Sequence, residues 1–191
     1  MDQKIIDLYD RFTHGGLNRR EFLDRLAQIA GSSSAAMALL PLLTNDYARA
    51  AVVAPDDARL AIDTMSYDAP GARINGTLAR LKSKGKRPAV IVIHENRGLN
   101  PHIQDVARRL AKAGYVALAV DLLSREGGTA QNDFDRIPGL LGNAPPARPV
   151  QDFQSGLAYA KAQSYARADR AGMVGFCYGG GVTWRVAAAT P

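Results

Sequence analysis

The chain has a single cysteine, Cys177, with Gly175 two residues before it and Gly179 two residues after. The spacing Gly-x-Cys-x-Gly suits a thiol nucleophile on a tight strand-to-helix turn. Such a turn exposes the side chain on a cramped backbone, and its neighbours two residues away come too close to carry side chains. The following helix aims its N–H groups and positive dipole end at the sulfur, which stabilises negative charge there. The backbone N–H of Tyr178 would face the oxyanion formed when the sulfur adds to a carbonyl. The chemistry implied is acyl transfer. A lone cysteine also serves as a small core residue, so the surrounding elements have to decide between the two. With one cysteine, the chain can form neither an intrachain disulfide nor a multi-cysteine metal site. A thiol redox role would lack a resolving partner.

A second candidate stretch is His94-Glu95-Asn96-Arg97-Gly98-Leu99-Asn100, which follows the apolar run Ala89–Ile93. A carboxylate directly after a buried strand is costly unless it faces a site or a partner. Glu95 therefore either faces a site or closes the strand by pairing with Arg97. In a strand–turn–helix hydrolase, the loop at this position supplies the second oxyanion N–H.

These residues need an alternating scaffold, and the pattern supplies one. Ile62–Tyr67 and Arg73–Leu81 alternate apolar and polar residues around Asp68-Ala69-Pro70-Gly71, which predicts a hairpin. Ala89–Ile93 reads as a strand buried on both faces. Ile103–Ala113 has helical spacing and ends at Gly114. Tyr115–Val120 is a strand, Val150–Gln163 a helix, Ala171–Phe176 a strand and Gly179–Ala189 a helix. Residues 124–149 are rich in Gly, Pro and Asn and predict no element. Alternating strands and helices give an α/β domain with a mostly parallel sheet and helices on both faces. The chain has neither GxGxxG nor GxxxxGK[ST], so dinucleotide and phosphate-loop binding are unsupported. The net charge is +6. Its densest run, Lys82–Arg87, reads as a solvated hairpin exit, and no nucleic-acid partner is expected.

Residues 1–50 read as an address. Arg19-Arg20 precede an apolar stretch, Leu26–Leu43, and Tyr47-Ala48-Arg49-Ala50 carries small residues where a signal peptidase cuts. The layout predicts a twin-arginine leader cleaved after Ala50, and hence a periplasmic or exported product. The other reading is an amphipathic N-terminal helix in a cytoplasmic protein. The apolar stretch is interrupted by Gly31 and three serines, so no permanent membrane span is expected. Residues 51–59 read as a linker, and 60–191 as the domain itself.

Taken in order, IVIHENRGLNPHIQDVARRLAKAGYVALAVDLLSREGG and VGFCYGGG resemble the dienelactone hydrolase family over roughly residues 60–191. The resemblance implies an α/β-hydrolase fold and a cysteine hydrolase of small lactones and esters, with no metal or organic cofactor. It implies Cys177 as nucleophile and Glu95 as the carboxylate that helps convert the thiol to thiolate. The N–H groups of Asn96 and Tyr178 would form the oxyanion hole, and Gly175 and Gly179 would be the elbow glycines. Family substrates carry carboxylates held by arginines, for which Arg97 is the local candidate. A cysteine hydrolase also needs a base and an orienting acid, in the chain order nucleophile, acid, histidine. No Asp, Glu or His follows Cys177, and the three histidines, His14, His94 and His102, all precede it. The expectation is therefore the N-terminal part of such a hydrolase, lacking the triad Asp and His and the later strands. The alternative is an inactive relic or a non-catalytic binding module.

Overall fold

A computed structural model describes residues 2–43 and 51–190. The chain divides into two compact units, residues 1–47 and 48–191.

The first unit holds three helices, α1 (Gln3–Thr13), α2 (Arg19–Ala30) and α3 (Ser33–Leu43). Asn18 caps α2 by accepting from the Glu21 N–H, and the Glu21 side chain accepts from the Asn18 N–H in return, satisfying two end-of-helix donors. Arg19 and Arg20 thus occupy the first turn of a helix. Ile5, Leu8, Phe12, Leu17, Phe22, Leu26 and Ala36 form a core of their own. Phe12 and Phe22 stack within it at a centroid distance of 4.5 Å. The apolar stretch breaks at Gly31, which takes a left-handed φ of 84°, and α2 and α3 meet at 110°. Among the described residues, no single helix is long and apolar enough to cross a membrane. The expected cleavage site, Tyr47–Ala50, lies outside the described residues.

The second unit is a five-stranded sheet in the order β1-β2-β4-β3-β5. Its strands are β1 (Leu60–Ala69), β2 (Ala72–Leu81), β3 (Arg87–Ile93), β4 (Val116–Val120) and β5 (Ala166–Gly175). β3 runs parallel to both β4 and β5. β2 is antiparallel to β1 and to β4, so β2 alone is reversed. The helices are α4 (Pro101–Lys112), α5 (Ile137–Gly142), α6 (Ala147–Ala162) and α7 (Tyr178–Ala189). The predicted hairpin, strands and long helices all form. Residues 124–149, which predict no element, contain two short 3-10 turns (Ser124–Glu126 and Thr129–Gln131), α5 and the start of α6.

Strand periodicity divides the core. Val116, Leu118 and Val120 of β4 pack with Phe153, Val182 and Val186 of α6 and α7. Ala117 and Ala119 face the other way, onto Ile103, Ala107 and Ala111 of α4. Helices therefore cover both faces of the sheet, and neither layer is dispensable.

Buried aspartates fasten the irregular segments. Asp105 of α4 accepts from the N–H groups of Val52 (3.2 Å) and Val53 (2.9 Å) and pairs with Arg108 (3.3 Å) and Arg109 (2.8 Å). Arg108 in turn donates to the Val53 carbonyl. Burial alone would raise the Asp105 pKa, but the two backbone donors and Arg109 outweigh it and hold the carboxyl below its ordinary range. The segment read as a linker is thus tied to α4 at Val52 and Val53. Asp152 of α6 pairs with Arg125 at 2.6 Å, and Arg125 reaches on to the Pro70 carbonyl in the β1–β2 turn. The Tyr67 hydroxyl donates to the Asp152 carbonyl, and burial raises its pKa.

Asp105→Ala leaves Arg108 buried without its carboxylate and two backbone donors without an acceptor. It is expected to lower the unfolding free energy by about 3–5 kcal/mol, as read by urea denaturation.

Candidate active site

The site is built where β3 and β5 end side by side. Their parallel register pairs Ile93 with Gly175. Glu95 and Cys177 each lie two residues beyond that pair, at the same end of neighbouring strands. In an open α/β sheet this carboxyl end of the strands is where ligands bind.

At the end of β5 the chain turns sharply into α7. Cys177 takes φ 52° and ψ −115°, and among the described residues it is the only non-glycine with positive φ. Such a backbone costs on the order of 1–3 kcal/mol and persists only where the surroundings impose it. Here they do. A Cβ on Gly179 would lie 2.5 Å from the Ile93 carbonyl oxygen and 2.6 Å from that of His94. A Cβ on Gly175 would run into the Gly179 carbonyl. Both flanking glycines are therefore required by backbone contact and not by flexibility. The Cys177 residue is exposed and sits at the N-cap of α7. Tyr178 opens the helix, so its N–H has no helical carbonyl four residues back. The Tyr178 ring is half-buried, and its hydroxyl donates to the Leu141 carbonyl at 3.3 Å.

The loop after β3 is rigid for a different reason. His94 is fully buried. Its Nε2 lies 3.1 Å from the Leu122 N–H and its Nδ1 lies 2.6 Å from the Glu95 carbonyl oxygen. A backbone N–H can only donate and a carbonyl can only accept. Both bonds are made together only by a neutral imidazole protonated on Nδ1. Burial also lowers the His94 pKa. With both nitrogens engaged, His94 has none left to serve Cys177 as a base. Beyond it, the Gly98 N–H donates to the Glu95 carbonyl at 3.3 Å, closing a turn over Asn96 and Arg97. Arg97 is buried, donates to the Phe134 carbonyl at 2.9 Å and lies 4.1 Å from the Phe134 ring centroid. Of the other histidines, His102 lies in the first turn of α4, and His14 pairs with Asp10 in the N-terminal unit.

The dienelactone hydrolase family model matches residues 74–191. The chain belongs to that family. A second family model, described as YqhI-like, matches residues 1–31. An Escherichia coli K12 protein named "Putative carboxymethylenebutenolidase" is 39% identical over 145 residues, which is 73% of this chain and 52% of that protein. A shorter K12 protein, "Putative hydrolase fragment YghX", is 50% identical over 101 residues, 51% of this chain and 86% of that one. Among solved structures, one titled "Putative Dienelactone Hydrolase" from Klebsiella pneumoniae superposes with a TM-score of 0.63 at 33% identity. That match covers 69% of this chain and 56% of the Klebsiella chain. The chain thus spans about half the length of the carboxymethylenebutenolidase relative and of the Klebsiella structure.

Within this dienelactone hydrolase family member, the sheet brings the Cys177 turn and the Glu95 loop to one strand end. Arg97, by contrast, is turned into contact with Phe134. Two residues of the site carry no motif at all. Asp121, at the end of β4, accepts from the N–H groups of Leu123 and Thr129, and Thr129 reaches the Glu95 loop through Leu99. The available signal was the one that marks Glu95, a carboxylate directly after an apolar strand.

Gly179→Ala forces Cβ against two carbonyl oxygens and is expected to lower the unfolding free energy by about 1–3 kcal/mol, measured by urea titration. A second expectation concerns pH. The folded-state pKa of His94 lies below its ordinary value of 6.5, so the unfolded chain takes up a proton that the folded chain refuses. Stability from this group is full above about pH 6.5 and is lost as pH falls through the folded value. The urea midpoint should drop between about pH 7 and about pH 5, and His94→Gln should flatten that part of the profile.

Proposed function

We propose that the chain carries the nucleophilic half of a hydrolase for small lactones and esters, working through a Cys177 thioester. The observation that carries the reading is the pairing of Ile93 with Gly175, which sets Glu95 and the strained Cys177 turn at one strand end. The Cys177 thiol passes its proton to the Glu95 carboxylate, and the sulfur adds to the substrate carbonyl carbon. The resulting oxyanion is met by the N–H groups of Tyr178 and Asn96. As the tetrahedral adduct collapses, the carbon–oxygen bond breaks and the leaving alkoxide takes the proton back from Glu95. The products of this half-reaction are an acyl-thioester on Cys177, a free or tethered alcohol and an ionised Glu95. Water then adds to the thioester carbonyl, the carbon–sulfur bond breaks, the acyl group leaves as a carboxylic acid and a proton from the water restores the thiol. The substrate class rests on the relatives' names, since a carboxymethylenebutenolide is an unsaturated lactone bearing a carboxylate.

The 191-residue chain incubated with p-nitrophenyl acetate should gain one acetyl group, found by peptide mass mapping on Cys177. Cys177→Ala should reduce p-nitrophenol release by about a thousandfold or more. Equal release by the variant, or an acetyl group elsewhere, would remove Cys177 from the role.

A further inference from the structure

The turn that offers the second oxyanion N–H is closed by its own Gly98-to-Glu95 hydrogen bond but is also held from outside. Its backbone is fastened at both ends to the segment that follows β4. At the near end, the Leu122 N–H donates to His94 Nε2, and His94 Nδ1 donates to the Glu95 carbonyl. At the far end stands Thr129, thirty residues away in sequence from the loop residue it contacts. The Leu99 N–H donates to Thr129 Oγ1 at 2.8 Å, and that hydroxyl donates to Asp121 Oδ1 at 2.7 Å. The Thr129 N–H donates to Asp121 Oδ2 at 2.7 Å, and the Leu123 N–H donates to Oδ1 at 3.0 Å.

A hydroxyl has one proton. Because the buried carboxylate takes it, the Thr129 lone pair has to point at Leu99. The threonine is itself held in place by its backbone bond to the same carboxylate. Space enforces the contact too. Gly98 has a φ of 75°, and a Cβ there would collide with the Thr129 side chain, reaching its Cγ2 at 2.6 Å. The loop thus has one position against Thr129, set by a hydrogen bond on Leu99 and by close packing on Gly98.

We propose that Thr129 is a positioning residue for the oxyanion hole. Through Leu99 and Asp121 it holds Glu95–Leu99 in the shape that presents a backbone N–H to the tetrahedral adduct. The inference rests on the Cys177 reading above, but its test separates the two. An oxyanion hole helps addition to a carbonyl and does nothing for alkylation of the same sulfur by iodoacetamide, where no oxyanion forms.

The experiment compares Cys177 acetylation by p-nitrophenyl acetate with alkylation by iodoacetamide on the full chain, both followed by intact mass. Thr129→Val removes the hydroxyl at similar volume. It is expected to slow acetylation by about ten- to a hundredfold, part of what losing an oxyanion donor costs, with alkylation within about twofold of wild type. Thr129→Ser, which keeps the hydroxyl, restores acetylation. Gly98→Ala presses on the same contact from the loop side and gives the same split, which covers a Thr129→Val chain that fails to fold. Acetylation at the wild-type rate in Thr129→Val, or equal loss of both reactions, overturns the proposal. Should the wild-type chain itself not acetylate at Cys177, the nucleophile reading fails. Amide hydrogen exchange across residues 95–99 then decides the positioning role. It is expected to rise at least about tenfold in Thr129→Val and not in Thr129→Ser, and unchanged exchange overturns the proposal.

Discussion

The backbone of Gly179 lies against the carbonyl oxygens of Ile93 and His94 so closely that no side chain fits between. This contact is the constraint on which the rest of the site depends. It brings the start of α7 onto the end of β3, and the short connection from β5 must then pass through Cys177 at positive φ. The strain is local. What offsets it is distributed over the β3–β5 ladder and over Val182 and Val186, the fully buried residues of α7 in the core. A turn held this way cannot relax without unpairing a strand or lifting a helix, so the thiol stays exposed at a helix N-terminus.

The second organising feature is the use of buried carboxylates to hold chain that lies outside the strands and long helices. Asp105 holds residues 52 and 53, Asp152 holds Arg125 and through it the hairpin turn, and Asp121 holds Thr129. In each case the acceptor comes from a helix or a strand end, and the segment it secures is a loop. Isolated, each charge would be expensive to bury. Hydrogen-bonded on both oxygens, each carboxylate holds its donors in a defined arrangement. His94 works by the same rule in its neutral form. The loop that carries Glu95 is therefore positioned by the segment after β4 as well as by its own Gly98-to-Glu95 bond.

The N-terminal unit shows how one pattern serves two readings. Arg19-Arg20 ahead of an apolar stretch has the layout of a leader. The same residues, with Asn18 before them and Glu21 after, form a capped helix whose Phe22 and Leu26 enter a core with Phe12. Both readings ask for apolar residues behind a polar start, so composition does not separate them. The contacts of Phe22 describe a packed helix, and the YqhI-like match spans this helix and the one before it.

Periodicity by itself determined the order of the five strands and of α4, α6 and α7, but not α5, which lies in the stretch rich in Gly, Pro and Asn. The alternation in β1 and β2, the unbroken Ala89–Ile93 run and the i, i+3, i+4 spacing in α4 each follow from which face must leave water. Gly-x-Cys-x-Gly marked the turn, since its steric demand is local and leaves a local trace in residue type. Only the tertiary structure decided the rest. That Ile93 pairs with Gly175, so that Glu95 and Cys177 end on adjacent strands, depends on a register between segments about eighty residues apart. That Arg97 packs against Phe134, that His94 is a neutral strut and that Thr129 braces the loop depend on partners distant in sequence. A hydrogen bond of this kind constrains two positions only as a pair, so neither residue type alone carries its mark.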